Sequence, residues 1–429
     1  MAMITRRKFL QGSTAMFTLA GTGISIGFSP RSLAASGGEN NALVMLFFRG
    51  GMDGLNFLVP LSGPNRTEYE SKRPNIQVPL NKALSLDGNF GLPDTCSGLH
   101  TLYQAGDMAM LHAVGMPEGL SSRSHFESMS MFEQGTPGDT SNGLGWLARH
   151  LQSSPSVPPS AVIPSMTPGD PPESMNGDSD VMAMDSADTS GFHPNGGRYE
   201  DNHLTTLQQL YSGNTPLDTA MQGTIDNVDI LTSLDLTIPD SYPNEPLAQD
   251  LGLVAQIIKA DLGLQVATVD FGGWDTHQNS GNAGTGYFVD RLAIVSAAVS
   301  AFFSDLDTAG KKDSVLLATQ TDFGRRVREN GNRGTDHGTA QVMMVAGGNV
   351  NGGQVYGTFP GIGNNDLYLN ADLAVTTDFR RPLSDILKNH LGNPNSSTVF
   401  PGYSGSSDMG LIKTRVGVPN DAIFKSGFE

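Results

Sequence analysis

Two short stretches concentrate the groups that can do acid–base or metal chemistry. In GGWDTHQN, residues 272–279, Asp275 and His277 stand two residues apart directly after an apolar run. In GTDHGTA, residues 334–340, Asp336 and His337 are adjacent and lie just before another. Three further segments carry related groups: RGGMDGLN with Asp53, DFGRRVREN with Asp322, and SSRSHFES with Ser121, Ser122, Arg123, Ser124 and His125. Carboxylates brought within a few ångströms of each other repel, by several kcal/mol where water is scarce. A protein resolves that conflict by protonating some of them or by adding a cation. A mixed Asp/His set suits zinc, manganese or iron better than calcium or magnesium. One or two such ions would polarise a phosphoryl or sulfuryl oxygen. The serine segment complements them, because a helix start offers free N–H groups to an anion and Arg123 offers a bidentate contact.

Each group also has a plainer reading. Asp53 sits among Gly50, Gly51 and Gly54 and suits a turn. Ser121 or Ser124 suits a helix cap. Asp275 with His277 could be a surface pair, and Asp336 could pair with Arg333. His112 lies inside an apolar run and reads as a hydrogen-bonded core residue. His100, His150, His193, His203 and His390 have no acidic or histidine neighbour at ligand spacing.

The elements that must position these groups are visible in the apolar pattern. Runs at 43–48, 108–114, 264–271, 314–321 and 341–347 are near-continuously hydrophobic, which predicts mainly parallel strands covered on both faces. Helical spacing is found at 125–134, 247–262 and 287–309. Strands alternating with helices predict an α/β fold with a largely parallel sheet. In such sheets the ligand site lies beyond the carboxyl ends of the strands. Four of the motifs follow a strand, so they would meet there. Residues 152–245 read as an insertion over one end of the sheet: Pro/Ser/Gly-rich over 152–196 with one or two short strands, then a helix and irregular chain.

The N-terminus is expected to be a leader. Thr5-Arg6-Arg7-Lys8-Phe9-Leu10 matches the twin-arginine export signal, with an apolar middle and small residues near 34–35. That route carries folded proteins, so the expected location is periplasmic or extracellular and the expected partners include the twin-arginine machinery. Loss of Arg6, Arg7, Lys8 and Arg31 would leave 22 of the 26 basic residues against 43 acidic ones, a formal charge of −21. Such a surface excludes nucleic acid as a partner. No later segment reads as a stable membrane span. The single cysteine, Cys96, rules out an internal disulfide and a thiolate cluster. No G-x-S-x-G motif stands at a strand-to-helix turn, which argues against a serine esterase of that type.

The motifs FFRGGMDGLN, SRSHFES, GGWDTHQN, TDFGRR and GTDHGTA, in this order after a twin-arginine start, resemble the bacterial family called domain of unknown function 1501. The resemblance runs from about residue 40 to 395. That family looks like a branch of the alkaline phosphatase-like superfamily. It implies an α/β/α sandwich over residues 36–429, with a metal site at the strand ends and hydrolysis of phosphate or sulfate esters. Carried over, Asp53, Asp275, His277, Asp322 and His337 would be metal ligands, with Asp336 beside them. Ser124 would be the nucleophile, flanked by Arg123 and His125. The superfamily usually has a histidine after the aspartate that corresponds to Asp322, where this chain has Phe323, which leaves His125 or His112 as substitutes or a single metal in place of two. That departure supports a second expectation, a non-catalytic exported metal-binding or assembly protein that retains the fold.

Overall fold

The computed structural model describes residues 41–413, apart from 159–160, 179–180, 185–199, 216, 219–220, 223–224, 226–233 and 406–407, together with two short strands near the N-terminus. Fourteen strands are present among these residues: β1 Ala15–Thr18, β2 Ile24–Phe28, β3 Ala42–Phe48, β4 Val59–Pro60, β5 Ala83–Ser85, β6 Phe90–Pro93, β7 Met108–Gly115, β8 Ser165–Thr167, β9 Val181–Met184, β10 Val266–Phe271, β11 Val315–Thr321, β12 Gln341–Ala346, β13 Val355–Tyr356 and β14 Thr377–Asp378. Strands β4, β5 and β6 form a small side sheet. The others form one large sheet in the order β1-β2-β9-β8-β10-β3-β11-β12-β7-β13, with β14 also on β7.

The sheet is mostly parallel. Strand β3 at its centre pairs in parallel with β10 on one side and β11 on the other. Strand β12 is the exception within the core of the sheet, antiparallel to both β11 and β7. The five apolar runs therefore do not all point the same way. The reversal explains why a motif preceding β12 can join motifs that follow the other strands: it brings the amino end of β12 to their carboxyl edge.

The alternation along β3 shows how one strand feeds two cores. Val44, Leu46 and Phe48 face one apolar cluster, and Leu43, Met45 and Phe47 face the other. The first cluster is covered by α1 Ser97–Gln104, α4 Pro246–Lys259 and α5 Tyr287–Thr308, and the second by α2 His125–Gln134, α3 Trp146–Ser153 and α6 Arg380–Asn389. Helices on both faces make a three-layer α/β/α sandwich, as the sequence predicts. Each fully buried large apolar side chain contributes about 1.5–3 kcal/mol, so the two clusters are the main source of stability.

Three sequence expectations need adjusting. Part of the expected insertion belongs to the sheet, because β8 and β9 extend it in parallel beyond β10. Helix α5 is long and apolar enough to cross a membrane by length and composition alone. Half of its most apolar stretch is buried, and Phe288, Leu292, Val295, Val299 and Phe302 pack into the first core, so it serves as a core helix. The segment expected to be a leader carries strands β1 and β2, which pair with each other and add to β9. The arginine pair itself and the expected cleavage region lie outside the described residues, as do most of 185–233 and the tail from 414.

Candidate metal centre

The carboxyl edge of the central strands gathers five loops. Strand β3 leads into Arg49-Gly50-Gly51, β7 into the segment ending at His125, β10 into Gly272–His277, and β11 into Asp322–Arg325; the loop before β12 supplies Thr335–Ala340. Two glycines let these loops touch. Gly50 has φ +119°, and a Cβ there would stand 2.6 Å from the Asp275 nitrogen. Gly51 has φ +70°, and its Cβ would stand 2.6 Å from the Phe323 ring. Only glycine combines that backbone conformation with that approach.

Three imidazoles converge on one carboxylate oxygen. The Nε2 atoms of His277, His337 and His125 lie 3.1, 3.3 and 3.5 Å from Asp275 Oδ1. The outer nitrogen of each ring faces an oxygen. His125 Nδ1 is 2.5 Å from Asp322 Oδ2, His337 Nδ1 is 2.8 Å from the Arg123 carbonyl, and His277 Nδ1 is 3.4 Å from Asp336 Oδ1. Carbonyl and carboxylate oxygens only accept, so Nδ1–H donates in each case and the lone pair of Nε2 faces inward. This is how proteins orient histidines toward a metal. Ligands about 2.0–2.1 Å from a shared ion lie roughly 3.3 Å apart, and the three Nε2 atoms stand at about that distance from Asp275 Oδ1.

Two observations test the fit further. His125 Nε2 is buried and has no hydrogen-bond partner. His277 Nε2 and His337 Nε2 stand 2.8 Å apart, a contact that needs a proton or a cation between two inward lone pairs. His125, Asp275 and His337 form a group whose ligand atoms all lie within 4.8 Å of one another. The donor set therefore fits a divalent metal of the zinc, manganese or iron kind.

Electrostatics around the group are tuned by arginines. Burial works to raise the Asp275 carboxyl, but the hydrogen bond and charge of Arg325 outweigh it and hold the group below the ordinary carboxylate range. Asp336 is held down as well, first by the Asn330 amide and then by His277 and Arg326. Burial pushes His337 down, keeping its imidazole neutral and ready to ligate. Beneath the rings lies Phe323, with centroids 4.7 Å from His125 and 4.4 Å from His337. The position where the resemblance expects a histidine is thus an aromatic platform, and His125 supplies the third imidazole. His112 stays in the core beside Phe90 and Phe359.

The remaining residues singled out from sequence have other places. Asp53 is buried in an ion pair with Arg73 at 2.6 Å and is not in the cluster. Asp322 is also buried; it accepts the Gly50 N–H and orients His125 rather than facing the cluster directly. Asp336 supports His277 from behind. Ser124 occupies the N-cap of α2, yet its hydroxyl bonds no first-turn N–H and none of the imidazoles. Ser122 Oγ donates to Glu127 and accepts from the Ser124 N–H, and Ser121 is half-buried at the loop mouth. Arg123 pairs with the buried Asp372 at 2.5 Å. Sequence reasoning missed Arg325 and Arg73, the two fully buried arginines that hold the site carboxylates.

The fold and donor set define an α/β/α protein with a candidate His/Asp metal centre. The chain belongs to the family described as protein of unknown function DUF1501, whose model matches residues 122–398. No curated protein matches it significantly. Among solved structures it is similar to the C-terminal periplasmic domain of EcEptC from Escherichia coli in complex with Zn, at 8% identity over 75% of this chain and 76% of that one, TM-score 0.33. It is similar also to the PsFucS1 sulfatase from Pseudoalteromonas sp., at 12% identity over 87% and 73%, TM-score 0.36. A third is the alkaline phosphatase from the Antarctic bacterium TAB5, at 10% identity over 74% and 95%, TM-score 0.31. At such TM-scores none of them speaks for the chemistry of this chain.

Proposed function

We propose that this protein is an exported, metal-dependent hydrolase of phosphate or sulfate esters. The observation that carries the reading is the convergence of three Nδ1-tethered imidazoles on Asp275 Oδ1. His125, Asp275 and His337 would hold the ion, with His277 Nε2 beside them, 2.8 Å from His337 Nε2. When bound, it would act as a Lewis acid on a non-bridging ester oxygen. The protein's own residues do the rest. Asp322, Asp336 and the Arg123 carbonyl fix the three rings. Phe323 packs its buried ring against those of His125 and His337. Ser124, exposed at the start of α2, is the nucleophile in this reading. Its Oγ bonds to phosphorus or sulfur and gives up its proton to solvent. The ester bond breaks and the leaving alkoxide takes up a proton. Water then releases the oxyanion and restores the serine. Export folded, through the twin-arginine route, would deliver the protein to the periplasm or beyond.

One observation favours the alternative, an exported metal-binding or assembly protein without turnover: the Ser124 hydroxyl makes no contact with the imidazoles. The test is to purify the protein without chelators and measure bound metal and hydrolysis of p-nitrophenyl phosphate and sulfate, beside Asp275→Asn and Ser124→Ala. The hydrolase reading expects metal and turnover to vanish together in Asp275→Asn, and turnover alone to vanish in Ser124→Ala. Unchanged turnover in Asp275→Asn would refute the mechanism. Metal without turnover on any ester would leave the assembly role.

A further inference from the structure

We infer that the centre holds one metal ion and no second, because buried guanidinium groups of the chain itself fill the places a second cation would need. This rests on the metal reading above and settles a count that the donor types alone leave open. Among the described residues, one group of three His/Asp ligand atoms is close enough to share an ion, and it is His125, Asp275 and His337. Every other carboxylate at this edge already faces an arginine or an imidazole.

Arg325 is the clearest case. Its side chain is fully buried and its guanidinium is ringed by five oxygens. Nε donates to the Gly51 carbonyl at 2.6 Å and Nη1 to the Thr335 carbonyl at 2.8 Å. Nη2 reaches Asp275 Oδ1 at 2.6 Å, the Trp274 carbonyl at 3.2 Å and the Gly50 carbonyl. Four carbonyls and a carboxylate drawn from three loops thus turn their lone pairs toward one guanidinium. That group never loses its charge, so the loops already hold the positive charge a second cation would bring. The cation is covalently part of the protein, so neither chelation nor a change of pH removes it. Arg325 cannot reach substrate; it acts through Asp275, as a positioning residue.

Asp53 repeats the arrangement. One oxygen binds Arg73 at 2.6 Å, and Arg73 also donates to Asn56 Oδ1 and to the carbonyls of Val327 and Arg326. The second oxygen, Oδ1, is buried without a partner, but no other His, Cys, Asp or Glu atom among the described residues joins it in a group of three. A single oxygen beside a fixed guanidinium does not hold a divalent ion.

The test is metal stoichiometry, read independently of activity. The intact protein, loaded with excess Mn2+ and desalted, is analysed by elemental mass spectrometry and by electron paramagnetic resonance. The expected result is about one equivalent, with the uncoupled spectrum of an isolated ion. Two equivalents, or a spin-coupled pair, would overturn the inference while leaving the metal reading intact. No metal at all would remove the metal reading itself, and this inference with it. Arg325→Ala, checked for native circular dichroism, is the companion measurement. Opening the five-oxygen cage should let a second, weaker equivalent of Ca2+ or Mn2+ bind. A folded Arg325→Ala protein that takes up no second ion would refute the claim that the guanidinium stands in a cation's place.

Discussion

Replacing Asp322 with asparagine separates a ligand from a residue that aims one. Asp322 is 1% exposed and makes three contacts through its carboxylate: two from the Gly50 N–H at 3.0 and 3.2 Å, and one from His125 Nδ1 at 2.5 Å. The amide side chain of the Asp322→Asn variant would keep the volume and one acceptor oxygen. It would lose the charge that favours Nδ1–H on His125 and makes Nε2 a better donor. Removing such an orienting partner weakens metal affinity by about 10–100-fold, or about 1.4–2.7 kcal/mol at 1.36 kcal/mol per decade. The assay is competition for Zn2+ against a chromophoric chelator at constant pH, comparing wild type, Asp322→Asn and Asp275→Asn. The expected order is wild type, then Asp322→Asn weaker by one to two decades, then Asp275→Asn with binding essentially lost. If Asp322→Asn bound Zn2+ as tightly as wild type, the orienting role would be wrong. If it lost the ion as completely as Asp275→Asn, Asp322 would be a direct ligand, and the placement of its carboxylate behind His125 would be refuted.

Other changes probe the scaffold. Arg73→Met strands the buried Asp53 carboxylate, and breaking such a pair costs about 3–5 kcal/mol, so the denaturant midpoint should fall accordingly; a loss under about 1 kcal/mol would mean the pair is not buried as described. Gly50→Ala forces a methyl group to within 2.6 Å of the Asp275 nitrogen at φ +119°, and should cost about 1–3 kcal/mol in backbone strain alone, together with weaker metal binding; unchanged thermal stability would contradict the loop contact. His112 and His150 are buried, and burial lowers both to about 4. An unfolded histidine binds its proton near 6.5, so between those values the unfolded chain holds more protons and stability falls as pH drops. The stabilising difference is fully present above pH 6.5 and lost progressively toward pH 4, by up to about 3 kcal/mol per histidine; equilibrium unfolding between pH 7.5 and 4 measures it, and His150→Asn should flatten the curve.

Much of the fold was legible because its strands are near-continuously apolar. The five runs that read as strands become β3, β7, β10, β11 and β12, with ends shifted by one or two residues. The direction of β12 was not legible, since QVMMVA buries all six residues and reads the same in either sense. One or two short strands were expected in residues 152–196, and β8 and β9 are there; SMT and VMAM are too short to show a period, so their positions and their place in the main sheet were not legible. At the site, His277, His337, Asp275 and His125 could be found from residue type and position beside a strand. The sorting of carboxylates could not. Asp53 and Asp322 look equivalent to Asp275 in sequence, and only the fold shows that Arg73 takes the first and His125 with Gly50 takes the second. Arg325 gave no signal, because its importance lies in five oxygens from loops that pass it only in the folded chain.

The five-loop edge also fixes when an ion can be acquired. The contacts that build the centre join residues very far apart in the chain: Gly50 to Asp322 spans 272 positions, and His125 to Asp322 spans 197. No short fragment contains the whole constellation, and the last contribution, His337, comes from the loop between β11 and β12. Structures dominated by such distant pairings assemble slowly, and a metal that needs the finished constellation cannot nucleate them as it does in a zinc finger. Under the metal reading, capture of the ion would therefore be the closing event of folding, and a filled centre would report that strands β3, β7, β10 and β11 are in place.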